Sequence, residues 1–303
     1  MKVLYIAGYG RSGSTLLERI LSGNRAFLAT GELVNLPALV SRGPASCSCG
    51  EALSRCPLWG AVLESMDPGS VAEIAKVQRG IEPLTSGLLS AVIGARRQRY
   101  RMVQRMLFEA IEAAAPAGTR FLIDSSKTAW KAAFRPIALS RVAGLDVVMI
   151  HLVRDGRGCL WSNIRGSNRR LEAGEDARIR FAAARTALSW SLANLAAFLG
   201  RMVLGSGRYL MVRYEDLVEA PEETLSRVGA YLGVDLSEEV DALIRGESVS
   251  HAHQIAGNRM RSERRLTLQL DDEWKSKLGV PRQALHLAIN WPLHLAYRRR
   301  ARG

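Results

Sequence analysis

The sequence predicts an α/β protein, a parallel β-sheet covered by helices on both faces, and three observations carry that prediction. Four short runs of β-forming residues end at loops: VLYIAG (Val3 to Gly8), FLID (Phe121 to Asp124), DVVMIHLV (Asp146 to Val153) and RYLMVR (Arg208 to Arg213). Segments of helical spacing lie between them. The first run passes through a glycine-rich turn directly into such a segment, and sheets of this kind bind ligands at the carboxyl ends of their strands.

Along the chain, the apolar run Val3 to Ala7 is followed by GYGRSGST (Gly8 to Thr15) and then by LLERIL, which has helical spacing. From about Leu36 to Ala117 the alternation is interrupted by a Cys-rich loop and two expected helices, the second rich in arginine between Arg96 and Arg105. This insertion reads as a helical cap over the site. Between Ile179 and Met202 the residues Phe181, Leu188, Leu192, Leu195, Leu199 and Met202 fall on one face of a 3.6-residue period, which predicts a helix packing that face on the core. No repeat, low-complexity tract or linker is visible. The 303 residues are expected to fold as a single domain, with the cap inserted at about 36–117.

An apolar content of 48% is enough for a full core, and the formal net charge of +13 calls for an anionic ligand or surface. No basic segment or small-residue cleavage site precedes the first apolar run, and the longest apolar stretches carry charge or fall short of the ~20 residues of a bilayer-spanning helix. The expectation is a soluble, cytoplasmic protein. Four cysteines do not make a disulfide framework in a chain this long. Cys47, Cys49 and Cys56, in CSCGEALSRCPLW, are close enough to bind a metal but one ligand short of a four-coordinate zinc site. The reading carried forward is a reduced, partly buried turn without metal, and Cys159 as a core residue. The tail from Leu285 to Arg302 joins an apolar part to a cluster of arginines, which suits a final core-packed helix or peripheral contact with a membrane.

The turn from Gly8 to Thr15 is where chemistry first shows. Gly8, Gly10 and Gly13 let the backbone turn tightly and aim amide N–H groups at an anion, and the following helix N-terminus adds partial positive charge. Gly8, Gly13 and Thr15 keep the spacing of the triphosphatase loop G-x-x-x-x-G-K-[ST], but Ser14 stands where its lysine would be. Without that lysine on the β and γ phosphates the loop is unsuited to ATP or GTP hydrolysis. A phosphosulfate fits it, with Arg11 supplying a cation from another direction. The predicted architecture is therefore a P-loop-like parallel sheet flanked by helices, with a helical cap insertion.

RSGSTLLERIL after an apolar strand resembles the phosphosulfate-binding loop of the PAPS-dependent sulfotransferases, PAPS being 3′-phosphoadenosine 5′-phosphosulfate. The arginine variant is similar to their carbohydrate- and protein-tyrosine-modifying branches. HLVRDGRGCLWSN resembles the family's 3′-phosphate segment, in which an Arg at a strand end is followed eight positions later by Ser, here Arg154 and Ser162. Asp155 can cap the intervening helix. VRYEDLVEAPEETLSRVGAYLG (Val212 to Gly233) looks like the family's strand, YEDL loop and helix, and GNRMRSE from Gly257 resembles the late loop that closes over the nucleotide. The likeness runs from about residue 2 to residue 275. It implies PAPS as co-substrate, PAP as product and no required metal. Donor contacts would come from Arg11, Ser12, Gly13, Ser14 and Thr15 at the 5′ end and from Arg154 and Ser162 at the 3′-phosphate, with Tyr214, Asn258 and Arg261 as further contacts.

Sulfuryl transfer is an in-line displacement that needs a base for the acceptor hydroxyl and cations for the departing phosphate. The resemblance puts the base in the Gly-Glu pair of ATGELVN, making Glu32 the candidate, although the same carboxylate could cap a helix beginning near Leu33. His151 and the C-terminal histidines are possible substitutes. Lys127, at the end of FLIDSSK, would neutralise the bridging oxygen. Asp124 also looks like the magnesium-binding carboxylate of a nucleoside kinase, which keeps a P-loop small-molecule kinase as the alternative function. Trp161 and Trp190 read as packing. A basic protein binding nucleic acid or a membrane surface is a further alternative, though with 6% aromatic residues no nucleic-acid module is readable. The acceptor hydroxyl belongs to a small molecule, a glycan or a lipid-linked compound, and its specificity is expected in the cap.

Overall fold

The computed structural model describes residues 1–43, 45–85, 94–172, 182–247, 252–257, 260, 266 and 268–300. Five parallel strands form one sheet: β1 (Lys2–Ala7), β2 (Phe27–Ala29), β3 (Phe121–Asp124), β4 (Val147–Val153) and β5 (Tyr209–Arg213), in the order β2-β3-β1-β4-β5. Four of them are the runs read from the sequence. β1 is central, with Tyr5 level with Asp124 on one side and Met149 on the other. Because β1 is flanked by two later strands, the order reverses there, and a crevice opens beyond its carboxyl end.

Helix α1 (Ser14–Leu21) leaves β1 and packs on one face of the sheet with α10 (Pro221–Leu232) and α11 (Ser237–Ile244), around Leu17, Ile150, Leu225 and Val228. The other face is covered by α2 (Leu36–Ser41), α3 (Pro57–Glu64), α4 (Pro68–Ile81) and α5 (Gly94–Ala114), whose Leu36, Trp59, Ile74 and Tyr100 share a core with Val3, Tyr5 and Leu122. The remaining helices are α6 (Arg135–Arg141), α7 (Gly156–Glu172), α8 (Ala182–Leu204), α9 (Tyr214–Glu219), α12 (Trp274–Lys277) and α13 (Val280–Arg300).

Two expectations change here. The described residues of the insertion form a layer on a sheet face, and none of them lines the crevice; residues 86–93 lie outside the described residues. It is fastened to the sheet by a fully buried ion cluster, in which Arg135 pairs with Glu82 just beyond α4 and donates from Nε to Asp124 at 2.8 Å, while Tyr100 donates to Glu82 at 2.8 Å. The second change concerns α8. Leu188, Leu195, Leu199 and Met202, expected in the core, are exposed, and the buried face is Ala183, Thr186, Ala187, Trp190, Ala193, Ala197 and Gly200. Small residues let the helix lie close to the sheet, as at Gly200, where an added Cβ would stand 2.8 Å from the Met149 methyl. By length and composition α8 could cross a membrane, yet half of its apolar window is buried in the fold.

Candidate active site

The crevice is a cleft of about 890 Å³ lined by the first-strand loop, Glu32, the segment after β3, the start of α7, Tyr214 and residues 269–273. Its floor is the turn between β1 and α1. Gly8 has φ 117, and a Cβ there would lie 2.3 Å from the Leu152 carbonyl oxygen, so only glycine lets β1 and β4 approach so closely. Gly13 caps α1 in the left-handed conformation, φ 90, and no side chain caps the helix, whose first amides face the cleft beside Ser14 and Thr15. That is the geometry of an oxyanion cradle. Ser12, expected among the donor contacts, does not line the cleft: it is buried, its hydroxyl 3.7 Å from the Cys159 sulfur.

Two charged residues from separate strand ends meet on one wall. Glu32 follows β2 and Lys127 follows β3, and the Lys127 ammonium contacts the Glu32 carboxylate, whose other oxygen accepts from Asn35 Nδ2 at 2.8 Å. Glu32 makes no side-chain bond to the amides of the short helical turn at Leu33–Asn35, which removes the capping role. Lys127 has φ 65, a conformation that disfavours any side chain, and it is held there by Tyr5 donating to its carbonyl and by Thr128 N donating to Gly8 O at 3.1 Å. Glu32 is steadied from behind, because Gly31 N donates to the buried Glu18 carboxylate at 2.7 Å. Burial raises the Glu18 pKa to about 7, against the opposing effect of the Gly31 N–H and of the nearby Ser125 and Gln254 side chains.

At the other end Arg154 leaves β4 and lies over the Tyr214 ring, 4.4 Å from its centre, while that ring lies against Gly13. The guanidinium donates to Arg11 O at 3.0 Å and to Asp271 O at 2.8 Å, and pairs with the Asp271 carboxylate at 3.1 Å. Arg165 reaches the same carboxylate oxygen at 3.1 Å. Ser162 stands one turn away on α7, which Asp155 caps by accepting from Arg157 N at 2.9 Å. Two arginines thus converge on one carboxylate beside a serine, an arrangement suited to a dianion.

The sulfotransferase family profile matches residues 4–238. The chain belongs to that family. The sulfotransferase domain of the curacin biosynthetic pathway superposes with a TM-score of 0.56 at 23% identity, covering 97% of this chain and 97% of its own. The sulfotransferase domain of the Synechococcus PCC 7002 olefin synthase gives 0.56 at 22% identity, covering 97% and 94%. These likenesses show the fold. No curated protein sequence matches the chain.

Within this sulfotransferase fold, Arg11, Gly13, Ser14, Thr15, Glu32, Lys127, Arg154, Ser162 and Tyr214 all line this cleft. Asn258 and Arg261 lie outside the described residues. His151 is not in the cleft: it is buried between Tyr209 OH, at 2.7 Å from Nδ1, and Asn194 Oδ1, at 2.8 Å from Nε2. His286 and His294 pack around Trp190, also away from the cleft. Asp124 is committed to Arg135 and Ser126 in the core, so the kinase reading loses the carboxylate that supported it. Trp190 is buried as expected, whereas Trp161 also donates to Glu273 at 3.1 Å. The sequence reading missed Asn35, Trp130, Lys131, Arg165 and Asp271 as lining residues. The doubled lysine of DSSKTAWK was a signal for Lys131; nothing in the sequence pointed to Asp271.

Proposed function

We propose that this sulfotransferase moves the sulfuryl group of PAPS to an acceptor hydroxyl, giving PAP and a sulfate ester. The observation that carries the reading is the meeting of Glu32 and Lys127 on the wall of the cleft whose floor is the Gly13 to Thr15 cradle. In this reading the α1 amides, Ser14 and Thr15 hold the 5′ phosphosulfate, and Arg154 and Ser162 hold the 3′-phosphate in place of the Asp271 carboxylate. The incoming anion draws Lys127 from Glu32, and the ammonium then faces the oxygen that bridges phosphorus and sulfur. Glu32 takes the acceptor's proton as the acceptor oxygen bonds to sulfur, and the sulfur to bridging-oxygen bond breaks, leaving its electron pair on the phosphate beside Lys127.

In this reading the acceptor enters at the part of the cleft lined by Asn35, Trp130, Lys131 and Ser189. Trp130 is 45% exposed with its indole N–H held by Ser189 at 2.9 Å, so a broad face stands at the rim, which suits a phenolic or sugar ring. Calorimetry without metal tests the donor: PAP is expected to bind at least about tenfold tighter than ADP, the equivalent of ~1.4 kcal/mol for the 3′-phosphate contacts. Equal affinities would remove the Arg154 assignment. A PAPS-dependent assay across phenols, sugars and lipid-linked glycans then identifies the acceptor.

A further inference from the structure

The cysteine turn finds its missing partner far along the chain. Cys47, Cys49, Cys56 and His253 each offer one ligand atom, and all four atoms lie within 4.8 Å of one another. His253 Nδ1 is 3.3 Å from Cys56 Sγ and 3.7 Å from Cys47 Sγ, across sequence separations of 197 and 206 residues. A tetrahedral zinc with Zn–S of about 2.3 Å and Zn–N of about 2.05 Å has S···N edges of ~3.6 Å, which the two S···N separations of 3.3 and 3.7 Å bracket. All four cysteines of the chain are free thiols. We propose that these four residues bind a structural Zn²⁺ ion.

The local backbone supports a ligand knuckle. Cys47 N donates to Glu51 O at 2.9 Å and Gly50 N to Cys47 O at 3.0 Å, with Gly50 at φ 97, so the turn places Cys47 and Cys49 side by side. Cys56 sits at the N-cap of α3, where helix amides favour a thiolate. Three thiolates and an imidazole are the donor set of a closed zinc site and not of magnesium or calcium, which take oxygen. None of the four lines the cleft, so the ion is no part of the transfer chemistry.

The ion fastens the insertion to the segment that borders the nucleotide end. Ser48 N donates to Gln254 O at 3.0 Å, Ser48 Oγ to Ala252 O at 2.7 Å, and Trp59 Nε1 to His253 O at 2.6 Å. That segment is in turn added to the edge of the sheet, through His253 N to Ala29 O at 2.9 Å and Ile255 N to Thr30 O at 3.1 Å. It ends with Ala256 pressed on Gly31, the residue before Glu32, and with Gly257 beside the Thr15 hydroxyl. Zinc therefore sets the position of both the base-bearing strand end and Gly257 beside the cradle. The assignment does not depend on which donor the cleft accepts.

The full chain, purified without chelator, is tested by elemental analysis, by thiol alkylation and by cobalt substitution. One zinc per chain is expected, with Cys47, Cys49 and Cys56 alkylated only after chelation, and cobalt should give the thiolate charge-transfer and d–d absorption of a tetrahedral site. Cys49→Ser, which changes the exposed ligand, should weaken zinc by more than the roughly 100-fold that loss of a mere outer partner costs, and His253→Ala should do the same. On the wild-type chain, chelation should remove the exchange protection of the His253 and Ile255 amides. Free alkylation of all three thiols in metal-free folded protein, a disulfide among them, iron in place of zinc, or unchanged zinc affinity in Cys49→Ser would each overturn the proposal.

Discussion

Replacing Glu32 by glutamine separates binding from chemistry in this cleft. The amide keeps the shape and can still accept from Asn35 or Lys127; what it loses is a negative charge and a proton acceptor. Glu32 and Lys127 are 23% and 12% exposed, so their pair is partly screened and its loss should cost the fold no more than about 1 kcal/mol. Turnover at saturating donor should fall by about 100- to 10,000-fold, which is ~2.7 to 5.4 kcal/mol of transition-state stabilisation. PAP affinity should be unchanged or slightly higher, because Lys127 no longer has to leave a carboxylate. The assay is PAPS-dependent turnover of the identified acceptor beside calorimetric titration with PAP. Lys127→Ala provides the contrast, since it should lose both turnover and donor affinity. Wild-type turnover by Glu32→Gln would refute the base assignment, and so would a loss of PAP affinity that matches the loss of rate.

Arg154→Ala should weaken PAP by about 30- to 5,000-fold, the range for truncating one partner of a desolvated charge pair, while Asp271→Asn should strengthen it by removing the carboxylate that competes for Arg154 and Arg165; calorimetry on both variants checks the opposite signs. Glu18 keeps a proton in the folded state up to about pH 7, well above its unfolded range near 4.5, so the stability it confers is full below the lower value and falls as pH rises through the window. The change is about 3 kcal/mol, and Glu18→Gln should flatten the dependence of the urea midpoint between pH 5 and pH 8. Arg135→Met leaves Glu82 and Asp124 buried without their cation and should cost about 3 to 5 kcal/mol in urea unfolding, an effect that adding Glu82→Gln and Asp124→Asn should largely reverse.

The strands of four or more residues were legible, because a run of mainly apolar residues ending at a loop marks them; β2, three residues long, is too short to carry any period. The α8 face was misread for a physical reason. Hydrophobic periodicity locates the largest apolar residues, but close helix-to-sheet packing selects alanine and glycine, and Leu188, Leu195 and Leu199 were left outside. The residues that line the cleft were legible where a motif ties chemistry to a strand end, as with Glu32, Lys127 and Arg154. Asp271 and His253 were not, since each acts across more than a hundred residues of chain on a partner that no local pattern announces.

The left-handed lysine has a consequence for remodelling the enzyme. Lys127 is aimed by its own backbone, which Tyr5 and Gly8 grip from β1, and Thr128 fastens the next residue by accepting from Gly8 N at 3.1 Å and donating to Ala193 O at 2.6 Å. The cleft therefore has one fixed jaw, made of main chain, and one exchangeable jaw, made of the side chains of Trp130 and Lys131. Libraries confined to those two positions should change which acceptor is taken without moving the cation relative to the cradle. Substitutions at Tyr5 or Thr128, though neither residue lines the cleft, should disturb every acceptor alike.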